Sequence, residues 1–471
     1  MQFNSLSFFI FLPTVFSIYW LFQKKQYYQN IILLIASFIF YAFWDWRFLS
    51  LIIISTITDY IVGLNIHKDY TEDSKRKLLL GSIIINLGIL FIFKYYDFFI
   101  LSWLDLCSFL GYEANSKWTI ELILPLGISF YTFQTMSYSI DIYHGKIKPT
   151  KNFITFASYV SFFPQLVAGP IERASNIIPQ LEKSRKFKHK QSIEGLRLIF
   201  WGLFKKVVIA DYLMSHRADF TFNNYNQLDG GSLFIGLVYF AIQIYCDFSG
   251  YSDIAIGTAK LFGIEIISNF KFPYFSKNPT EFWSRWHVSL SSWIRDYLYY
   301  PLAMHFMRIS VGRISKYKSH IITMAIMGLW HGANWKFLGW GIYWAIIIIA
   351  YSEIRPYLSA ITESISTKFI QIISMFSLTC GSYVFFRSES LYNAIEFFSY
   401  MITRFSFPST NRSGIVFIIP FIFIEYLIRV DERNPIKINN FYFRWLLYIL
   451  GSAIIYLCWE DDKKIFIYFQ F

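Results

Sequence analysis

Apolar runs of span length recur along the chain, at about residues 7–22, 30–46, 48–63, 78–100 and 121–140, with short polar connections between them. Each run approaches the roughly 20 apolar residues that a helix needs to cross a bilayer. The rhythm changes past residue 150. Phe153 to Val167 is apolar but broken by Pro164 and closed by Gly169-Pro170, which predicts a re-entrant segment instead of a full span. Spans resume near 196–215 and 232–250, and further apolar segments follow at about 320–352, 366–386, 413–430 and 443–458. Between these lies a block from 269 to 300 that is aromatic yet heavily polar. Polar chain at membrane depth has to be shielded by protein or line a cavity. No repeat relates the two halves, and no hydrophilic domain, Pro-rich linker or low-complexity tract interrupts the pattern. The prediction is one all-α polytopic membrane domain over residues 1–471, with residues 459–471 as a C-terminal tail.

Composition sharpens this reading. Of the 471 residues, 55% are hydrophobic, 21% aromatic and only 16% charged, against about 25% charged in a soluble domain. That excess of apolar residues excludes a soluble enzyme, a disordered protein and a collagen-like fibre. The net charge of +12 raises nucleic acid as a partner, but Lys and Arg sit between apolar runs and form no basic face interleaved with aromatics, so none is expected. They set orientation instead. Lys24 and Lys25, then Lys68, Lys75, Arg76 and Lys77, then Lys146, Lys148 and Lys151 fall in alternate connections, against only Arg47 and Lys117 in the others. By the positive-inside rule the N-terminus lies outside the cytoplasm. The opening MQFNSLS lacks a positive leader, so the first apolar run is expected to be a permanent span. Arg173, Lys183, Arg185, Lys186, Lys188, Lys190 and Arg197 are expected at the cytoplasmic surface, where they meet anionic headgroups of the membrane lipids. The sharper alternative is contact with the phosphates of a soluble donor. Cys246, Cys380 and Cys458 read as membrane-embedded thiols and Cys107 as a loop residue.

Three polar clusters carry the candidate chemistry. Gly328-Leu329-Trp330-His331-Gly332-Ala333-Asn334-Trp335 sets one histidine between two tryptophans in a long apolar region. Burial disfavours the imidazolium, and a neutral ring accepts a proton from a hydroxyl, while Gly332 permits close approach of a substrate. The bland reading is a core histidine bonded to a carbonyl. A second cluster runs from Asn278 through Glu281, Trp283, Arg285, Trp286, His287 and Ser289 to Arg295-Asp296-Tyr297. Its bland reading is structural, with Arg285 or Arg295 paired to an acid such as Glu281 or Asp296. The third, Tyr245-Cys246-Asp247-Phe248-Ser249-Gly250-Tyr251-Ser252-Asp253, places two carboxylates six residues apart beside hydroxyls. Hydrogen bonding to neighbouring helices and ion binding are its two readings. No compact metal-ligand spacing, Walker loop, G-x-S-x-G elbow or G-x-G-x-x-G fingerprint occurs, so no metal site is expected.

Together these clusters resemble the membrane-bound O-acyltransferase family, in particular its bacterial branch of alginate O-acetylases, peptidoglycan O-acetyltransferases and teichoic acid D-alanyl transferases. The segments that carry the resemblance are MQFNSLSFFIFLP, FFPQLVAGPIER, YCDFSGYSDIAIG, EFWSRWHVSLSSWIRDYLYYPL and GLWHGANW. The resemblance implies a ring of about 10–12 transmembrane and re-entrant helices around a catalytic tunnel through the bacterial cytoplasmic (inner) membrane. It implies acetyl-CoA as the cytoplasmic donor substrate with no tightly bound cofactor, an envelope polysaccharide as acceptor, and an external SGNH-hydrolase-like acetyl-transfer enzyme as partner. His331 and His287 are then the catalytic candidates, with Trp330, Asn334, Trp335, Trp286, Arg285, Ser289, Asp247, Ser249, Tyr251 and Asp253 as tunnel or supporting residues. The last six residues, Phe466-Ile467-Tyr468-Phe469-Gln470-Phe471, are similar to an F-x-Y-x-x-F motif that ends some envelope acyl-transfer proteins, which makes Tyr468 a candidate nucleophile. The cations Arg429, Arg433, Lys437 and Arg444 before the last span put the C-terminus outside as well. A transporter or channel is the competing class, although the paired broken helices of an inverted repeat are not visible. Acylation of a lipid, a protein or teichoic acid is the remaining alternative.

Overall fold

The computed structural model describes residues 1–68, 70–112, 118–358, 364–459 and 466–467. Among them every regular element is a helix. Five helical stretches are long and apolar enough to cross a bilayer, Gln26–Ile66, Glu72–Phe109, Gly230–Leu261, Trp335–Leu358 and Ile365–Arg387, and Leu6–Leu21 and Phe441–Leu457 are shorter apolar helices. The chain divides into two compact units, one of Met1–Gly195 with Ala255–Ile267 and one of Leu196–Ile254 with Ser268–Phe471.

The first unit contains α1 (Leu6–Leu21), α2 (Gln26–Asp45), α3 (Leu49–Ile66), α4 (Glu72–Leu90), α5 (Tyr96–Phe109), α6 (Ile128–Tyr143), α7 (Phe153–Ser161) and α8 (Ala174–Leu181). Asp45 leaves the helical region, with φ −161°, and its carboxylate accepts from the Arg47 N–H. That separates the two apolar runs flanking residue 46. Where α3, α4 and α6 pack, the buried Asp59 carboxylate accepts from Ser82 Oγ at 2.5 Å, Asn86 Nδ2 at 2.7 Å and the Ser139 hydroxyl. Side chains such as these hold helices together where lipid supplies no hydrophobic drive. Residues 155–172 are buried throughout, which shelters the non-helical backbone at Phe162 beside Pro164. Two expectations are corrected here. Cys107 lies inside α5, not in a loop. Arg185 is buried instead of facing headgroups, because its guanidinium donates to Tyr19 Oη at 2.5 Å, Asn30 Oδ1 at 2.6 Å and nearby carbonyls.

Two helices, α9 (His189–Leu203) and α10 (Gly230–Leu261), contribute residues to both units. The helix continues past α9 as a widened turn over Phe204–Met214. Within the second unit Gly202 and Gly250 let these helices meet backbone to backbone: a Cβ on Gly202 would stand 2.6 Å from the Gly250 carbonyl oxygen, and one on Gly250 would stand 2.7 Å from that of Gly202. The polar block from 269 to 300 folds as short helices, α11 (Pro279–Arg285) capped by Asn278 and α12 (Val288–Ile294). The apolar stretch 320–352, read as one segment, is two helices, α13 (Arg313–His331) and α14 (Trp335–Leu358), parted at the extended Gly332. They pack closely through Gly328 and Gly341, where a Cβ would meet the Phe337 and Met324 carbonyl oxygens at 2.2 Å. α15 (Ile365–Arg387) follows and supplies Phe386 to the site described next.

Candidate active site

His287 sits between two helices, not on one. α11 ends at Arg285, α12 starts at Val288, and His287 joins them in the left-handed region with φ 43° and ψ 54°. A non-glycine residue keeps that conformation only where its surroundings over-determine it, and such positions cluster at functional sites. The surroundings here are the fully buried Asn269, whose Oδ1 lies 3.0 Å from His287 Nδ1, 3.3 Å from the Ser289 N and 2.9 Å from Ser289 Oγ. Asn269 Nδ2 in turn reaches Ser252 Oγ at 3.4 Å.

His331 is the last residue of α13 and is buried. Its ring packs edge-on against Trp330 at 5.1 Å, Trp340 at 4.8 Å and Phe386 at 5.1 Å between centroids. The dry aromatic pocket is therefore present, with a different membership. Trp335 is half exposed at the start of α14, and Trp340, one helical turn and more along, takes the place expected for it. Asn334 acts on the backbone, its Oδ1 accepting from the Lys336 N–H at 3.0 Å to start α14. A Cβ on Gly332 would stand 2.2 Å from the Phe337 ring, so the absence of a side chain there serves internal packing.

The histidines are linked through rings. His287 lies 6.1 Å from Trp330, which neighbours His331, and 4.7 Å edge-on from Phe248 on α10. Phe248 continues the series to Phe466 at 5.6 Å, and Tyr251 stands 5.0 Å from Phe466. Phe466 and Ile467 are both buried, so the sequence just before Tyr468 reaches the histidine cluster. Tyr468 itself lies outside the described residues.

The carboxylates of α10 are held by two lysines that sequence reasoning passed over. Lys206 Nζ pairs with Asp247 Oδ1 at 2.5 Å and Asp211 Oδ1 at 3.0 Å, and Lys205 Nζ pairs with Asp253 Oδ2 at 2.8 Å and donates to Ser249 Oγ at 2.9 Å. Two adjacent lysines within the apolar 196–215 run were themselves the signal, since an ionisable group inside a span is a site candidate by default. In the other cluster Arg285 pairs with Glu281 at 2.6 Å and Arg295 with Asp296 at 2.8 Å, both partly exposed. Both pairs are local, Arg285 with Glu281 one turn earlier in α11 and Arg295 with its neighbour, so neither ties two helices together. Trp286 is buried among Phe282, Tyr274 and Phe270 and backs the His287 turn.

In the first unit, Gln180, Lys183, Ser184, Lys186, Lys188, Lys190, Gln191, Glu194 and Glu265 line a cavity of about 610 Å³ beside Arg185 and Gly263. It is the basic stretch folded into a concave surface.

The model of the membrane-bound O-acyltransferase family matches residues 90–386. A probable alginate O-acetylase from Pseudomonas syringae pv. tomato is 39% identical over 397 residues, 84% of this chain and 74% of that protein. A peptidoglycan O-acetyltransferase from Helicobacter pylori is 35% identical over 425 residues, 84% of this chain and 78% of that protein. A teichoic acid D-alanyltransferase from Bacillus subtilis is 26% identical over 282 residues, 56% of this chain and 69% of that protein.

Proposed function

Because the chain belongs to the membrane-bound O-acyltransferase family, and is thus a membrane acyltransferase, we propose that it moves an acetyl group from cytoplasmic acetyl-CoA across the inner membrane for O-acetylation of an extracytoplasmic polysaccharide. The observation that carries this reading is the continuous run of rings Phe466, Phe248, His287, Trp330 and His331, which brings the C-terminal tail to a pair of buried histidines. The basic cavity supports a donor rich in phosphate. The names of the relatives favour a wall glycan or an alginate-like polymer as acceptor.

In this reading His331 takes the proton from the Tyr468 hydroxyl as its oxygen attacks the thioester carbon. The C–O bond forms, the C–S bond breaks, and the CoA thiolate leaves with the proton that His331 returns. The aryl ester stays activated, because a phenol with pKa about 10 is a far better leaving group than a sugar alkoxide. An external SGNH-hydrolase-like enzyme then accepts the acetyl group on a serine and passes it to the polymer. His287 holds the reacting groups in place.

The experiment is a Tyr468→Phe replacement combined with a gene deletion, reading base-labile acetate in each isolated envelope polymer. Deletion should remove acetate from one polymer, and Tyr468→Phe should do the same while the protein still inserts. Unchanged acetate in every polymer after deletion would overturn the function; full acetylation by Tyr468→Phe would leave the function and remove the tyrosine relay.

A further inference from the structure

Asp247 has one more contact. Its Oδ2 accepts the backbone N–H of Ile467 at 2.7 Å, in the dry interior beside the Phe466 ring. Its other oxygen is the one paired with Lys206. Among the described residues Lys206 has a second acid in Asp211, and Lys205 has its own in Asp253, with the buried Glu425 carboxylate also near Lys205. Neutralising Lys206 therefore does not require Asp247. The tail backbone is the donor that completes Asp247, and a buried carboxylate that lost it would retain an unmet lone pair at high cost. Phe248 and Tyr251 of α10 clasp Phe466, and Tyr251, one turn on from Asp247, lies on the helix face that presents it.

We propose that Asp247, braced by Lys206, is a positioning residue: it latches the C-terminal tail by the Ile467 N–H and so sets the register in which the next residue, Tyr468, is presented to the histidines. The role rests on the reading of Tyr468 as acyl carrier, but the latch itself does not. A backbone acceptor of this kind reads the path of the tail, while the pocket around Phe466 reads its sequence, which is the division of labour by which extended peptides are recognised elsewhere.

The test uses the full-length protein carrying Gln470→Cys as a reporter, with alkylation of that cysteine followed by mass spectrometry of the C-terminal peptide. Ile467→Pro removes the N–H in question and leaves the charges of the core untouched, but it also fixes φ and restricts Phe466, so the combination with Asp247→Asn isolates the hydrogen bond; Ile467→Val keeps the N–H and serves as control. Alkylation should be about tenfold faster or more in Ile467→Pro and in Asp247→Asn than in Ile467→Val, a hydrogen bond to an ionised acceptor being among the stronger ones. Combining Ile467→Pro with Asp247→Asn should accelerate it no further, and polymer acetylation should fall in step. Equal rates in Ile467→Pro and Ile467→Val, or effects of the two changes that multiply, would overturn the latch. Should Asp247→Asn fail to accumulate, Asp247→Asn with Lys206→Met removes both charges: tail labelling as fast as in Ile467→Pro is required, and labelling restored to the parent rate would mean that Asp247 only balances Lys206. Labelling that follows the latch while Tyr468→Phe acetylates fully supports the latch and overturns the relay.

Discussion

Asn269 presents one side-chain oxygen to His287 Nδ1, to the Ser289 hydroxyl and to the Ser289 N–H. A backbone N–H only donates, so the atom facing it is the amide oxygen. His287 Nδ1 must then carry its proton, and the ring's lone pair is on Nε2. Asn269→Ala frees the ring to adopt the other tautomer, and turnover should fall by about tenfold, one hydrogen bond's worth, with protein level little changed. Steady-state kinetics on the purified variant checks this; wild-type turnover would mean that the tautomer is immaterial. His331→Ala is the larger effect. Loss of a general base costs at least about 10²-fold, so a variant retaining more than about a tenth of wild-type acetylation excludes that role. The motif around His331 marked it as a candidate because it sets a histidine between two tryptophans in an apolar run, beside the plain reading of a core histidine bonded to a carbonyl. Its real neighbours Trp340 and Phe386 were not legible, since they come from the next two helices. Asn269, eighteen residues before His287, carried no local mark at all.

Helices pack here by removing side chains where backbones must meet. Gly202 and Gly250 bring α9 and α10 within contact, and Lys205 and Lys206 follow immediately, which is what carries the two ammonium groups to Asp253 and Asp247. Gly202→Ala puts a methyl 2.6 Å from the Gly250 carbonyl, and the helices have to separate. The expected loss is about 1–3 kcal/mol of stability, read as a lower midpoint of thermal unfolding in detergent, with the lysine pairs loosened and activity reduced as a consequence. An unchanged midpoint would show that the crossing has slack. Hydropathy located the long apolar helices at this scale but not their interruptions, and the run at about 121–140 is helical only from Ile128. The apolar count from 320 to 352 stays high straight through the break at Gly332, because Trp, Leu and Ala continue to supply it. What stops the helix is Gly332 followed by an Asn334 side chain that caps the next one, and glycine plus asparagine was a legible stop signal outweighed by the apolar average.

At the scale of the whole chain, the positive-inside rule predicts which connections face the cytoplasm, and the proposed donor and tail route depend on that prediction. Lys183, Lys186, Lys188 and Lys190 ring the basic cavity, while the tail follows a last apolar helix, Phe441–Leu457, preceded by Arg429, Arg433, Lys437 and Arg444. On the proposed topology the cations mark the cytoplasm, where the proposed donor acetyl-CoA is soluble, and the residues after the last apolar helix are outside. The first turn of α4 is the informative place to ask. Lys75 pairs with Glu72 at 3.0 Å and Lys77 with Asp73 at 2.5 Å, so the local net charge is small. Orientation nonetheless follows the basic residues, to which acids contribute little. A cysteine at position 75 should therefore be shielded from an impermeant thiol reagent in intact cells and react once the membrane is opened, whereas a cysteine at position 2 should react from outside. Labelling of position 75 in intact cells would invert the chain. The cavity would then face away from any CoA pool, and the tail would enter from the cytoplasm, so an acetyl group carried on Tyr468 would have no route to an external polymer.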